Sequence, residues 1–521
     1  MKIDSGERRE WVMLVLILAV AAAVRFYRIG AQSFWIDEIL SLDASVASGG
    51  ASFWERLLYN VHGPLHAVII HLLRSVSVSE GVLRAPSAVA GTLSVLLLYR
   101  WLVMLGRRDI ALYGALFFAL SPFNLYYSQE LRFYALMVMF ALITLMAYER
   151  FLENPSYRNG ALLGLASAAA TLSHFSALFL AAGLFIHLIV TGRMKGRHLA
   201  SGCIAVLVLL VLVSPWIYRE IVYLRGIQVV QISELPEEER LRGDLTLNVW
   251  SYPYALYAFS AGYSFGPSLR ELHGISSAVQ LLGEHWLEMT VVGLLFGWLT
   301  AVGLWQARKR GTLSLFLSVL LAALAMTTVV AAFNIKVFNI RYMMASFPIY
   351  IALIAYGLPS GGTSRILLVS AVCAVMIVSS WNYLMNPRYE RDDIKDAVSV
   401  IRKEERSGDI LLAINSRAVI EHYYRGANKV LELNPRQLGG DETGIRAERA
   451  LSENGRIWYI RCRHWDTDPD DLLLSSLEAS ASMTGRWRFP GVELYLFTSM
   501  REEVFAGSRR SGGTREGGGG G

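Results

Sequence analysis

Residues 11–43 read WVMLVLILAVAAAVRFYRIGAQSFWIDEILSLD. The first half of this stretch, Trp11–Tyr27, is an apolar run without an acidic residue. Its length suits a membrane helix, because about 20 apolar residues cross a hydrocarbon core of about 30 Å. Two acids, Asp37 and Glu38, follow just beyond it. Paired acids outside a membrane helix have no evident packing role, so the stretch predicts a membrane protein with a polar site beyond its first helix.

The composition of the whole chain supports this interpretation. Of 521 residues, 54% are hydrophobic and only 18% are charged, which excludes an ordinary water-soluble enzyme. The net charge of +6 does not indicate nucleic-acid binding, because basic residues fall in short clusters between apolar runs. Two of the three cysteines, Cys203 and Cys373, lie in apolar runs, which gives no disulfide framework and no metal-ligand spacing. We expect a multi-pass protein of the plasma or inner membrane, in contact with the bilayer and with no nucleic-acid partner.

Apolar runs of membrane-helix length recur along the chain to about Tyr383. The predicted fold is mainly α, a polytopic transmembrane bundle of about eleven spans. These spans are Trp11–Tyr27, Pro86–Leu105, Ile110–Tyr127, Phe133–Tyr148, Gly160–Leu172, Phe175–Val190, Leu199–Tyr218, Trp286–Trp305, Thr312–Ala332, Arg341–Leu358 and Arg365–Tyr383. Two further apolar stretches, Gly63–Val78 and Val249–Phe265, compete with them.

The distribution of basic residues decides how these two stretches are interpreted. With eleven spans, every predicted cytoplasmic loop is basic, as the positive-inside rule requires. Counting Gly63–Val78 as a span would move four of the basic clusters outside, and the stretch contains His66, His71 and Arg74, which are costly in lipid. We predict an interfacial or re-entrant helix there. The same argument keeps Val249–Phe265 on the outer side as an aromatic, interfacial segment.

This topology places charged and polar side chains from several segments on one side of the membrane. The predicted outer loops and outer helix ends carry Asp37, Glu38, Asp43, His62, His66, Arg84, Arg132, His174, Lys336 and Arg341. They form either one polar site or a set of scattered interfacial anchors. The acid pair beside Trp35, and cations at helix ends whose orientation is already set by inner clusters, favour a site.

The composition changes after the last predicted span. Residues 1–385 are predicted to form the membrane domain, residues 386–505 a small extracytoplasmic α/β domain, and residues 506–521 a flexible Gly-rich tail. Predicted strands at Lys429–Leu433, Arg456–Arg461 and Val492–Thr498 follow a buried strand within residues 409–415. The domain would cap the outer cavity or meet an acceptor, or it is a structural appendage.

Seven motifs occur in an order that resembles a known family. They are WIDE at 35–38, HGPLH at 62–66, LRAPSAVAG at 83–91, SPFNLYYSQELRFYAL at 121–136, LSHFSALFL at 172–180, YAFSAGYSFGPSLREL at 257–272 and RYMMASFP at 341–348. Together they resemble the protein O-mannosyltransferase and aminoarabinose-transferase type of polytopic membrane glycosyltransferase, within the C-type superfamily. The resemblance covers about residues 10–385.

The resemblance implies an enzyme that transfers a hexose or pentose from a polyprenyl-phosphate donor, with inversion, to an extracytoplasmic acceptor. That acceptor would be a protein, a lipid A-like glycolipid or a cell-wall glycan. The family's acidic loop residue maps on Asp37, with Glu38 beside it. Its HPPL-type segment maps on His62–His66, where Gly63 replaces the first proline. The mannosyltransferases also carry an acid after the position of Arg132; this chain has none there, and Glu130 is the substitute.

Inverting transfer needs a base near the acceptor nucleophile and stabilisation of the departing phosphate. We assign the base to Asp37, since desolvation at the interface would raise a carboxyl pKa towards a useful value. Glu38 would orient Asp37 or bind the sugar. The alternative is that Asp37 caps the start of a helix, where acids favour the dipole.

Cations are expected to bind the donor phosphate, because the leaving group gains charge as the glycosidic bond breaks. Arg341 is the first candidate, since a guanidinium matches phosphate oxygens bidentately. Arg132, Arg84 and Lys336 follow. For each of them the alternative is a long side chain that only anchors a helix end at the interface.

Further residues are candidates for substrate binding. His62 and His66 lie four residues apart, on one face if both are helical, and would bind phosphate or a divalent metal, although no further ligand spacing supports the metal. His174 is similarly placed at an outer hairpin. Tyr254 and Tyr257 would stack on a sugar or hold the prenyl chain, or they belong to an aromatic belt.

Two other classes of function remain open. A flippase or transporter of lipid-linked sugars would need charged residues at the midplane of the bundle, and the sequence places few there. It also shows no inverted repeat of the kind that many transporters contain. A non-catalytic glycolipid-binding subunit would explain the membrane spans but not the acid pair.

Overall fold

The computed structural model describes residues 5–46, 52–57, 63–226, 247, 249–274, 278–333 and 338–499. Its contacts divide the chain into two compact units. The first comprises Met1–Ala31 and Leu40–Tyr389, and the second comprises Gln32–Ile39 and Glu390–Gly521. The segment that carries Asp37 and Glu38 therefore belongs with the C-terminal unit. The boundary at Tyr389 lies close to the change in composition that the sequence shows.

The first unit is built from helices. These are α1 Ser5–Phe26, α2 Ile36–Asp43, which begins in the other unit, α3 Phe53–Leu57, α4 Pro64–Arg74, α5 Glu80–Met104, α6 Arg108–Leu120, α7 Pro122–Ser128, α8 Tyr134–Glu153, α9 Tyr157–Ser173, α10 Ala177–Val190, α11 Gly196–Gly226, α12 Ser251–Ala261, α13 Leu269–Gly274, α14 Ala278–Lys309, α15 Leu313–Ala332, α16 Phe347–Tyr356 and α17 Gly362–Met385. A 3₁₀ helix, Ile340–Ser346, precedes α16.

Six described helices are long and apolar enough to cross a membrane, which agrees with a multi-pass protein. They are α5, α8, α11, α14, α15 and α17, and α6 with α7 would make a seventh. Helices α10 and α16 are shorter, with 14 and 10 residues. Every residue of α16 is buried, as expected for a helix that is apolar all round and lies inside a bundle. The total of eleven spans stays a prediction.

The predicted span Ile110–Tyr127 is bent in the structure, where it consists of the two helices α6 and α7. Helices α6 and α7 meet at an angle of 55°. The break lies at Ser121, because Pro122 lacks an N–H and Ser121 caps the new helix by accepting from Asn124 N–H at 3.2 Å. The buried Arg25 donates to the Ala119 and Phe118 carbonyls at 3.0 and 3.2 Å, and these are among the carbonyls that the end of α6 leaves unpaired.

Helices α4 and α12 each contain 11 residues. Such a helix rises about 16 Å, roughly half of the hydrocarbon core, so neither crosses a membrane alone. Helix α4 begins at Pro64, and Gly63 precedes it where a Cβ would collide with the carbonyl oxygen of Leu172. Gly63 thus lets α4 pack closely on the end of α9, which explains a glycine where the related motif has a proline.

The second unit contains one five-stranded sheet. Its strands are β1 Ile410–Ala413, β2 Lys429–Glu432, β3 Arg456–Cys462, β4 Ala481–Phe489 and β5 Val492–Ser499, in the order β2-β1-β3-β5-β4. Strands β1, β2 and β3 are parallel, and β5 is antiparallel to β3 and β4. Its helices are α18 Ile394–Glu404, α19 Arg417–Tyr423, α20 Pro435–Leu438, α21 Gly440–Asn454, α22 His464–Thr467 and α23 Leu472–Ser480. Strand β4 was not predicted from the sequence.

Candidate active site

The segment that bears the acid pair is fixed to the second unit by side chains. The Ser33 hydroxyl donates to Asp393 Oδ1 at 2.8 Å and accepts from the Lys395 N–H at 3.1 Å. The backbone N–H of Phe34 donates to the Tyr423 hydroxyl at 2.7 Å. The Phe34 ring is fully buried, with its edge towards His422 at 5.5 Å. This segment is therefore an ordered part of the C-terminal unit.

Glu38 is completely buried and forms an ion pair. Arg391 Nη1 donates to Glu38 Oε2 at 3.1 Å, and the Arg391 side chain is only 7% exposed. The same carboxylate oxygen accepts from the Trp35 N–H at 3.3 Å, which is half of a capping box at the start of α2. Glu38, rather than Asp37, thus makes this helix-capping contact, and its burial favours the orienting role that the sequence left open for it.

Asp37 differs from its neighbour in exposure. It is half-buried, whereas Glu38 is inaccessible to solvent. Adjacent residues of a helix project about 100° apart, so the anchored Glu38 fixes the direction in which Asp37 points. Asp43, at the other end of α2, is exposed. Of the acids on this helix, Asp37 combines partial burial with access, as a general base requires.

Arg132 and Arg341 both lie beside the ring of Tyr134 in the first unit. The guanidinium carbons of both lie 5.8 Å from the centre of the Tyr134 ring. Arg132 is 5% exposed, donates from Nη1 to the Ser41 hydroxyl at 2.8 Å, and lies 4.5 Å from the Phe133 ring. Arg341 is partly exposed in the 3₁₀ helix before α16, and its N–H is held by Asn339 at 3.1 Å. The structure thus brings together the first two predicted phosphate-binding residues.

His174 belongs to the same group of rings and cations. Its imidazole stacks on Phe133 at 4.6 Å and on Tyr342 at 5.9 Å. Its Nδ1 is hydrogen-bonded to the Ser176 hydroxyl at 2.8 Å, and the side chain is buried. His174 therefore helps to order the rings beside Arg132 and Arg341. We call Arg132, Phe133, Tyr134, His174, Arg341 and Tyr342 the cationic-aromatic cluster.

His66 lies against this cluster from α4. Its ring meets the edge of Phe133 at 6.0 Å and is 4% exposed. Burial, together with the positive charge of Arg132, lowers the pKa of His66 to about 3. His66 is neutral at physiological pH, and its Nε2 is a buried atom without a hydrogen-bond partner in the part of the chain that the structure describes.

The other predicted residues occupy varied positions. Glu130 and Arg84 are each 1% exposed, and Arg84 donates to the Ile29 carbonyl at 3.0 Å. Tyr254 and Tyr257 stack in parallel at 6.4 Å on α12, and the Tyr257 hydroxyl donates to the Phe265 carbonyl. His62 and Lys336 lie outside the described residues. Helix α4 starts only at Pro64, so the structure does not place His62 on one helical face with His66.

Sequence reasoning missed several residues of this site. The sequence did not single out Phe133, Tyr134 and Tyr342, because aromatic residues are common at membrane interfaces. The sequence did contain a signal that could have pointed to Arg391, the partner of Glu38. Arg391 follows the last predicted span on the side where the positive-inside rule does not call for basic residues. Across the described ranges, no group of three or more His, Cys, Asp or Glu could hold a metal ion.

One known protein family matches part of the chain. Residues 61–218 match the family described as dolichyl-phosphate-mannose-protein mannosyltransferase. This part of the chain is mannosyltransferase-like. The matched segment includes His66, Arg132 and His174 and excludes the acid pair and Arg341. No curated protein matches the chain.

Three solved structures are similar to this chain. The Archaeoglobus fulgidus oligosaccharyltransferase AglB, solved with an inhibitory peptide and a dolichol-phosphate, is 12% identical with a TM-score of 0.52, over 94% of this chain and 74% of that one. ArnT from Cupriavidus metallidurans, bound to undecaprenyl phosphate, is 15% identical with a TM-score of 0.44, over 94% and 98%. The S. cerevisiae Pmt1–Pmt2 complex bound to the sugar donor is 19% identical with a TM-score of 0.33, over 44% of this chain and 36% of that chain. At these identities the likeness to AglB supports a shared fold.

Proposed function

We propose that the protein is a membrane glycosyltransferase that moves a sugar from a polyprenyl-phosphate donor to an extracytoplasmic acceptor. The observation that carries this proposal is the pair of guanidinium groups, Arg132 and Arg341, that share the Tyr134 ring. Two arginines beside one ring in a mainly apolar bundle are suited to bind a phosphate diester. The mannosyltransferase-like family match of residues 61–218 supports the same class of reaction.

The reaction is a displacement at the anomeric carbon. The acceptor oxygen forms the new glycosidic bond from one face while the bond to the donor phosphate oxygen breaks on the other. The electron pair of that bond leaves with the polyprenyl phosphate, which gains one negative charge. Arg132 and Arg341 stabilise this charge, and because they act where charge develops, their contribution is greatest in the transition state.

Asp37 takes the proton of the acceptor hydroxyl in this scheme. Its partial exposure gives an acceptor access, and Glu38 orients it without competing for the proton, since Glu38 is buried against Arg391. Asp37 also stands in the first turn of α2, where the helix dipole stabilises the carboxylate.

The remaining candidates have supporting roles in the proposal. His66 and His174, whose rings contact Phe133, would bind the sugar, and Glu130 is the candidate for a second acid. Arg84 and Lys336 contribute positive charge near the phosphate, His62 contacts the donor, and Tyr254 and Tyr257 border the prenyl chain. No step above depends on a divalent metal. The acceptor would be a protein, a glycolipid or a cell-wall glycan on the outer face of the cell membrane.

Transfer in proteoliposomes tests the proposal. Purified protein would be given a panel of polyprenyl-phosphate hexoses and pentoses with candidate acceptors, and products would be identified by mass spectrometry. We expect Asp37→Asn to abolish transfer while donor binding is kept. The matched control is Asp43→Asn, the exposed acid at the end of the same helix, which should transfer at the wild-type rate. If Asp37→Asn transfers sugar at the wild-type rate, the assignment of Asp37 as the base is wrong.

A transporter of lipid-linked sugars is the competing function, and Arg25 is the residue that would favour it. Arg25 is a fully buried charge inside the helical unit. However, its hydrogen bonds run to the backbone carbonyls of Ala21, Ala119 and Phe118, which is the pattern of a structural cap. Translocation of a fluorescent donor across liposomes without any transfer product would favour the transporter.

A further inference from the structure

The segment Gln32–Ile39 is held by residues that are distant in sequence. Four hydrogen bonds join Ser33, Phe34 and Glu38 to the C-terminal part of the chain. The bonded partners are between 353 and 389 residues apart. All of them lie within the second unit. The loop that follows the first helix is thus held by hydrogen bonds to the C-terminal part of the chain.

Helix α2 depends on these contacts for its position. It has only eight residues, and helices shorter than about 12 residues are marginal in water by themselves. The Glu38 carboxylate joins two of the constraints, because it accepts both from Arg391 and from the Trp35 N–H that opens the helix. Removing Arg391 would take this ion pair away from a buried carboxylate, which is costly, and the first turn of α2 would have to rearrange.

We infer that Arg391 and Tyr423, in the C-terminal part of the chain, are positioning residues for Asp37. The inference rests on the proposed function, because it assumes that Asp37 is the base. Arg391 fixes Glu38, Glu38 closes the first turn of α2, and Tyr423 fixes the backbone at Phe34. Asp37 lies between these two anchored positions, so its carboxylate has little freedom to move away from the acceptor.

Kinetics of Arg391 and Tyr423 variants in the full-length protein test this inference. A base displaced by about 1 Å loses about 100-fold in rate, so we expect Arg391→Ala to lower kcat by that factor. The KM and the binding affinity for the polyprenyl-phosphate sugar should stay within about twofold of wild type. Arg391→Lys restores the positive charge next to Glu38 and should recover part of kcat. A merely structural role of Arg391 would not separate kcat from KM in this way.

A second variant keeps the test decisive if Arg391→Ala fails to fold. Tyr423→Phe removes only the hydroxyl that accepts from the Phe34 N–H and keeps the ring. We expect a smaller fall in kcat, again without a change in donor affinity. The control is Arg449→Ala in the same unit, an exposed arginine paired with Glu453, which should leave all constants unchanged.

Hydrogen exchange provides a readout that does not depend on activity. In Arg391→Ala, amide exchange across residues 33–39 should become faster, while exchange in the cationic-aromatic cluster should not change. If residues 33–39 stay protected and kcat equals that of wild type, the positioning inference is wrong. If the wild-type protein transfers no sugar from any donor, the proposed function fails instead, and accelerated exchange would then show only that Arg391 orders the loop.

Discussion

Arg132 donates a hydrogen bond from Nη1 to the Ser41 hydroxyl at 2.8 Å, and both side chains are buried. Ser41 stands one helical turn after Asp37 in α2. A guanidinium has five N–H donors in a planar fork, and this bond holds one of them, on Nη1, in place. The bond thus helps to orient the Arg132 guanidinium beside the rings of Phe133 and Tyr134.

Arg132→Ala is expected to weaken donor binding. Loss of one charge-assisted hydrogen-bonding partner of the phosphate costs about 1.5–3 kcal/mol, which corresponds to an increase in Kd of about 10- to 100-fold. Binding of a polyprenyl phosphate to protein in nanodiscs would measure this change. The matched control is Arg150→Ala, since Arg150 is exposed near the other end of α8. An unchanged Kd in Arg132→Ala would contradict the assignment of Arg132 to the phosphate.

Gly63→Ala is expected to destabilise the protein, because the new Cβ would collide with the carbonyl oxygen of Leu172. Backbone atoms cannot give way as a flexible side chain would, so we expect a loss of about 1–3 kcal/mol. Thermal unfolding in detergent would measure it. Gly297→Ala is the control, since Gly297 lies within α14 and its Cβ would meet no atom within 4 Å. A wild-type melting temperature for Gly63→Ala would show that α4 and α9 can separate.

The features that the sequence predicted were local ones. An acid pair beyond a membrane helix located Asp37, and turn and strand patterns located most of the C-terminal sheet. The pairing of Glu38 with Arg391 could not be predicted, since 353 residues separate them and no local pattern encodes the contact. Strand β4 was missed for a different reason, because most of its residues are partly or fully exposed and give no apolar alternation. The break at Ser121 was hidden in a continuous apolar run, although Pro122 marks it.

His66 should make the stability of the protein depend on pH. Burial and the charge of Arg132 lower its pKa from 6.5 to about 3 in the folded state. Between these values the unfolded chain binds the proton and the folded protein does not, so stability is full above about pH 6.5 and falls as the pH is lowered towards 3. We expect His66→Gln to lose less stability than wild type between pH 7 and pH 5.

Chemical unfolding at several pH values would measure that difference. Comparing variant with wild type isolates His66 from His464, whose pKa is also lowered by burial and by Arg461. Parallel pH dependences in the two proteins would mean that His66 is protonated with similar ease in the folded and unfolded states. That result would contradict a buried, neutral imidazole beside Arg132.

The Tyr134 ring should contribute to donor affinity through the two arginines beside it. A cation over an aromatic face gains about 0.5–2 kcal/mol when partly desolvated, and Arg132 and Arg341 both lie 5.8 Å from this ring. Tyr134→Leu removes the ring but keeps an apolar side chain, so we expect the Kd for polyprenyl phosphate to rise about 2- to 30-fold. Tyr134→Phe keeps the ring and should stay within about twofold of wild type. If both variants weaken binding equally, the hydroxyl rather than the ring is responsible, and the arginines are positioned by hydrogen bonds instead of by the aromatic face.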